Sequence, residues 1–175
     1  MRLRMKKTIE ILTVAALCVG AQSVCIAAPL DQRTLLESLV QCQAKASDAI
    51  KFNELLDKKQ LTLLKDEGHS PWGGQAWTVN PPITVGPITS NTVLMTDRRS
   101  FYVLANSSNP RADSGDVAKA LNLTKEMDDG KYFDFRRADG ERTIQTVSSE
   151  EPKENFLVGC FYDQDAIHRE QRRKR

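Results

Sequence analysis

Histidine is scarce: the 175 residues contain two, His69 and His168. Imidazole is the commonest general acid or base in enzymes, so little of the chain is equipped for such chemistry. HExxH and CxxC spacings are both missing, which removes the usual local ligand sets for a transition metal. No glycine-rich phosphate loop of the P-loop or dinucleotide type occurs, and Ser70 is not set in a nucleophile elbow. The acidic clusters at 127–130 and 149–154 read as turns and solvated loops, since neither has the spaced oxygens of a calcium-binding EF-hand. No cofactor, no metal and no catalytic residue is therefore expected. Long hydrophobic runs are missing as well: the apolar stretch at 11–21 falls well short of the roughly 20 residues that a spanning helix needs.

What is present begins with a pattern of export. Arg2, Arg4, Lys6 and Lys7 precede that apolar stretch, and Ala27-Ala28 offers small residues before Pro29. This is the layout of a secretory signal peptide, 1–28, and a periplasmic or secreted destination follows from it. Met5, opening MKKT, is an alternative start. Cleavage after Ala28 removes Cys18 and Cys25. Cys42 and Cys160 remain, an even pair in an oxidising compartment, and read as one disulfide; two buried free thiols are the alternative. In the chain-entropy model a bridge across so long a loop contributes about 4–5 kcal/mol. Residues 29–167 then suit a single domain, with 16 basic and 21 acidic side chains, net −5. The tail 168–175 holds five basic residues and one acid, and reads as a disordered basic end. Its sharper reading is an electrostatic contact with a membrane surface, since an exported protein has no nucleic acid to meet.

Periodicity points to an α+β fold. Residues 31–57 contain neither Gly nor Pro, and Leu35, Leu39, Cys42, Ala46 and Ala49 recur at steps of three and four. A long amphipathic helix is expected there, capped by Asp31. From Leu61 onward, short runs rich in Thr, Val, Ile and aromatics cover 61–64, 75–79, 83–88, 92–96 and 101–105. They are separated by turn residues, as strands of an antiparallel meander are. A surface loop at 106–116, a short second helix at 116–127, and strands at 131–137, 142–148 and 155–163 complete the pattern. The helix-then-strands order occurs twice, without matching residues that would establish a repeat. Cys42 lies in the apolar stripe of the first helix and Cys160 on an apolar face of the last strand. The bridge should therefore staple that helix to that strand, in two layers with the helix on the sheet. LVQCQA, W…PPITVGPITSN and LVGCFY, spread over most of the chain after the signal peptide, together resemble a family of small exported proteobacterial proteins. That resemblance implies export, the bridge and the layout, and it implies no activity.

Both tryptophans, His69 and four of the seven prolines fall within 68–88. Trp77 sits inside a β-type run and is expected in the core. Trp72 lies between Pro71 and Gly73-Gly74, where a large aromatic on a loop tip is a reasonable recognition anchor. His69, Ser70, Trp72, Gly73 and Gly74 are accordingly the candidate binding residues. Pro87 suits an edge strand or bulge, open to a partner strand. The expected role is a disulfide-braced binding protein with a protein partner in the cell envelope: an inhibitor, immunity factor or accessory subunit. The alternatives are an envelope hydrolase using His69 and a small-ligand or lipid carrier with a cavity between helix and sheet.

Overall fold

The computed structural model describes residues 31–69, 74–149 and 155–174; the expected signal peptide lies outside them. Asp31 caps the first helix, its carboxylate accepting the Arg33 backbone N–H at 3.1 Å. The single helix expected over 31–57 is two: α1 (Gln32–Val40) and α2 (Ala46–Asp57). Between them Cys42 takes a left-handed backbone, φ 59°, and the N–H groups of Gln43 and Ala44 both reach the Ser38 carbonyl. No Gly or Pro marks this break; it coincides with the bridge. Cys42 is bonded to Cys160, with their Cα atoms 5.1 Å apart, so the chain must bend down to the sheet here. The second helix has acceptors of its own at its start: Asp48 takes the Lys45 N–H at 3.0 Å, and Glu141 takes the Ala46 N–H at 2.8 Å. Those N–H groups would otherwise go unpaired.

The strands β1 (Leu64–Lys65), β2 (Gln75–Val85), β3 (Ile88–Asp97), β4 (Ser100–Asn106), β5 (Thr124–Asp128), β6 (Phe133–Asp139), β7 (Arg142–Ser148) and β8 (Asn155–Tyr162) form one antiparallel sheet, ordered β1-β2-β3-β4-β8-β7-β6-β5. The runs expected at 75–79 and 83–88 are one bent strand and the start of the next. β2 continues through a register shift after Thr78 and a cis Asn80–Pro81 bond, then turns at Gly86-Pro87. Gly86 has φ 57°, the sign that a two-residue hairpin turn of this kind needs at its first central position. Pro87 thus belongs to a turn and not to an open edge. The outer edge of β2 is covered by α1: Arg33 donates to the Pro81 carbonyl at 2.9 Å, and Gln41 to the Thr84 carbonyl at 2.9 Å.

Two further expectations are corrected. The second helix is α3 (Pro110–Ala120), not 116–127. Asn109 caps it and Pro110 fills its first turn, where the missing N–H costs nothing; residues 124–128 pair with β6 instead. Of the tail 168–175, expected to be disordered, residues 168–173 belong to α4 (Gln164–Arg173), which is capped by Asp163, whose carboxylate accepts the Ala166 N–H at 2.9 Å. The tail's charge concealed Ala166 and Ile167, which pack onto the core.

The strand order shows what the sequence pattern only hinted at. Each half is a helix followed by four strands, α2-β1-β2-β3-β4 and α3-β5-β6-β7-β8, and the halves meet where β4 pairs β8. Val103 opposes Val158 at that seam. Outward from it, Val93 then Trp77 then Lys65 on one side match Thr146, Phe135 and Lys125 on the other, register for register. The helices also end alike. Lys59 (φ 55°) and Asn122 (φ 54°) follow α2 and α3, with Gln60 bonded to Leu55 and Leu123 bonded to Ala118, the Schellman pattern.

Directly opposed residues share a face of a sheet. One face carries Trp77, Val93, Phe101, Val103, Phe156, Val158 and Tyr162, and the buried residues of all four helices pack on it. Phe52 of α2 meets Trp77 and Phe101 edge-on at centroid distances of 5.4 and 5.5 Å, and Phe101 meets Tyr162 at 6.1 Å. This chain of rings fills the helix–sheet interface. Tyr162 adds a hydrogen bond, its hydroxyl donating to the Leu39 carbonyl at 3.1 Å, which satisfies a carbonyl in the last turn of α1. The opposite face carries its own smaller cluster, Ala76, Leu94, Tyr102, Leu104 and Leu157, and none of the described helices packs on it.

Candidate functional site

The connection from β1 to β2 brings Asp66 and His69 to that second face. Asp66 follows β1, and its backbone N–H bonds the Ala76 carbonyl at 2.9 Å, which keeps the chain against β2. Ala76 is small, so the Asp66 carboxylate reaches across it towards Thr78 and Thr92, whose hydroxyls lie 3.5 Å away. Its other oxygen accepts the Gly68 N–H at 2.9 Å. His69 places Nδ1 3.0 Å from Asp66 Oδ2. Burial works to raise the Asp66 carboxyl's pKa, but the His69 and Gly68 hydrogen bonds together outweigh it, and the carboxyl sits below the ordinary aspartate value. A carboxylate on Nδ1 fixes the imidazole's orientation and leaves Nε2 to face outward. The arrangement can offer a partner one oriented hydrogen-bonding nitrogen, or move a proton at Nε2.

Of the candidate residues, Ser70, Trp72 and Gly73 lie outside the described residues. Gly74 is described, and it is not the loose hinge that its sequence context suggests. A Cβ built on it would fall 1.6 Å from the Met95 carbonyl oxygen, so the chain re-enters the sheet by pressing its backbone onto β3. Trp77 is buried, 2% exposed, and belongs to the core. Asp66 was not singled out from sequence, although its spacing of three residues from His69 was there to read.

Further along the same face, Gly159 of β8 leaves a gap between Tyr102 and Gln145. A side chain at Gly159 would meet the Tyr102 ring at 3.0 Å; without one, Tyr102 lies across β8, and its hydroxyl accepts from Gln145 Nε2 at 2.5 Å. Burial raises the tyrosine pKa to about 12. Asp134 and Arg136 form an ion pair on the β6 side, yet Asp134 Oδ1 and Arg136 Nε find no other protein partner. A cleft of about 800 Å³ opens at the bent end of the β2–β3 hairpin, lined by Thr78, Asn80, Pro82, Ile88, Leu104 and Asn106 among others. Among the described residues, no three His, Cys, Asp or Glu side chains gather as a metal site requires, and no helix is long and apolar enough to cross a membrane.

Fold and site together define a two-layer α+β protein with four helices on one sheet face and a mixed polar and apolar opposite face. Comparison with protein-family models, with curated proteins and with solved structures yields no match.

Proposed function

We propose that the chain is an exported, disulfide-braced binding protein whose partner is another protein of the cell envelope, engaged at His69–Gly74 and the sheet face beside it. The observation that supports this most is the two-sidedness of the sheet. Its helical face is filled by the bridge and the aromatic chain, while the other face holds Leu94, Tyr102, Leu104 and Leu157 beside the oriented Asp66–His69 pair. The apolar cluster is closed, each of its side chains at most 9% exposed, so what this face offers a partner is the partly exposed polar group around it, His69, Thr78 and Thr92, the kind of side chain that forms the rim of a docking surface. A bridge between buried Cys160 and Cys42 fits an oxidising compartment. The test is capture from an envelope extract: a stoichiometric protein retained by the wild-type chain and lost with Trp72→Ala, a variant that must still melt cooperatively, supports the reading. Retention of no protein, or equal retention by both, overturns it.

One observation favours a second reading, a hydrolase using His69. The Asp66–His69 geometry is that of a general base held by a carboxylate, although His69 meets no hydroxyl or thiol nucleophile among the described residues. Ester or amide hydrolysis abolished by His69→Gln, with partner capture unchanged, would favour this reading over binding.

A further inference from the structure

We infer that the solvent side of α2 and α4 is a docking surface for an anionic lipid bilayer, a contact separate from the protein-binding face. Lys51 and Glu54 of α2 and Lys58, which caps its end in helical backbone, fall three and four residues apart, so they share one stripe. Glu54 is bonded to Lys174 at 3.0 Å, which brings the end of α4 beside that stripe. On α4, Arg169 and Arg172 are exposed, three residues apart on a common side. The acids between the helices are already neutralised: Glu54 by Lys174, Asp57 by Arg98 at 2.7 Å, and Glu170 by Arg173 at 2.6 Å. Lys51, Lys58, Arg169 and Arg172 remain exposed and without an ion-pair partner among the described residues, against two exposed acids at the start of α4, Asp163 and Asp165.

The chemistry of this face selects among anionic partners. Around the four cations the exposed residues of α2 and α4 include no Phe, Tyr or Trp, and the imidazole of His168 is the one ring among them, so single-stranded nucleic acid would find no row of rings on which successive bases stack. No large apolar anchor projects from it either, and protein hot spots are built on such anchors. Two helices packed side by side offer spread-out positive charge on a broad surface. That matches a layer of diffuse negative charge such as phospholipid headgroups, where each basic residue near the surface adds to binding and the effect decays within a Debye length. The domain ahead of the basic tail is acidic, 29–167 carrying net −5 with Lys51 and Lys58 counted, so a bilayer would orient the molecule with this face inward.

The experiment compares the full chain recovered from an envelope extract with its Arg169→Glu/Arg172→Glu variant, in flotation with vesicles of phosphatidylcholine alone or with about one-third phosphatidylglycerol. Because both proteins share the same N-terminus, the difference between them isolates this surface. The expected result is binding to anionic vesicles that weakens about tenfold or more in the variant and falls steeply between low and high salt. A Lys51→Glu/Lys58→Glu variant should lose binding comparably, and both variants should keep the wild-type melting temperature and partner capture. Equal binding of wild type and variants, binding indifferent to phosphatidylglycerol, or retention on a nucleic-acid column without retention on vesicles would each overturn the inference while leaving the protein-binding reading standing.

Discussion

Trp77 and Trp72 illustrate how far single residues could be read. Trp77 sits in a β-type run and lands edge-on against Phe52 in the core, as its β-branched neighbours implied. Trp77→Ala should therefore cost about 3–5 kcal/mol of stability. Trp72→Ala, under the proposed function, should weaken partner binding by about 2 kcal/mol while changing stability by about 0.5 kcal/mol or less. Melting both variants separates the two roles: equal destabilisation would assign Trp72 to the fold and remove it from recognition. Gly74 shows what sequence could not disclose. A Gly-Gly pair looks permissive in one dimension, but the contact that demands a missing Cβ is with Met95, on another strand. Thr146 is similar: fully buried on the helical face, its hydroxyl has no protein partner. Replacing an unpaired buried hydroxyl by a methyl group of similar shape is near neutral or favourable, so Thr146→Val should leave the denaturation midpoint unchanged or raised. A loss beyond about 1 kcal/mol would mean that the hydroxyl is bonded in solution.

At the scale of elements, hydrophobic period identified strands better than it placed helix ends. The strand at 142–148 was legible to the residue because its turns and alternation are local. The break between α1 and α2 was not, because apolar spacing runs unbroken through 31–57 and the cause of the bend is a covalent bond to a strand far away in sequence. Cys42–Cys160 closes a separation of 118 residues, so replacing both cysteines by alanine should lower stability by several kcal/mol, up to about 4–5; urea midpoints of oxidised wild type and variant test this, and coincident midpoints would sink it. Asp66 offers a second check on the β1–β2 connection. Its folded pKa is depressed below 3.8, so its contribution is present above that value and is lost as pH falls through the folded one. Asp66→Asn should flatten the acid side of the stability profile between about pH 2 and 5. A profile parallel to wild type would show that the carboxylate is not held by His69 and Gly68.

For the whole molecule, a helix followed by strands was visible twice in sequence, but five strand runs read in the first half and three in the second hid the equal count of four. The two halves share register and helix-ending geometry rather than strings of residues, and Trp77 matching Phe135 only emerges once strand pairing is known. Joining the halves through β4 and β8 puts those two strands at the centre, buried on both faces, with β4 buried from Ser100 to Ala105 and β8 from Asn155 to Cys160. The outermost strands are weak by contrast: β1 has two residues, and β5 is exposed from Thr124 to Met127 with a register irregularity after Lys125. A bulge and charged side chains on an edge strand discourage pairing with other chains. Local opening costs least where few apolar contacts must be broken and most where burial is two-sided. Native-state hydrogen exchange should therefore be slowest at Val103 and Val158, whose exchange should track global unfolding, and faster by orders of magnitude at β5. Protection of β5 equal to that of β8 would contradict this central seam and would require a partner or another segment of the chain to be paired along β5.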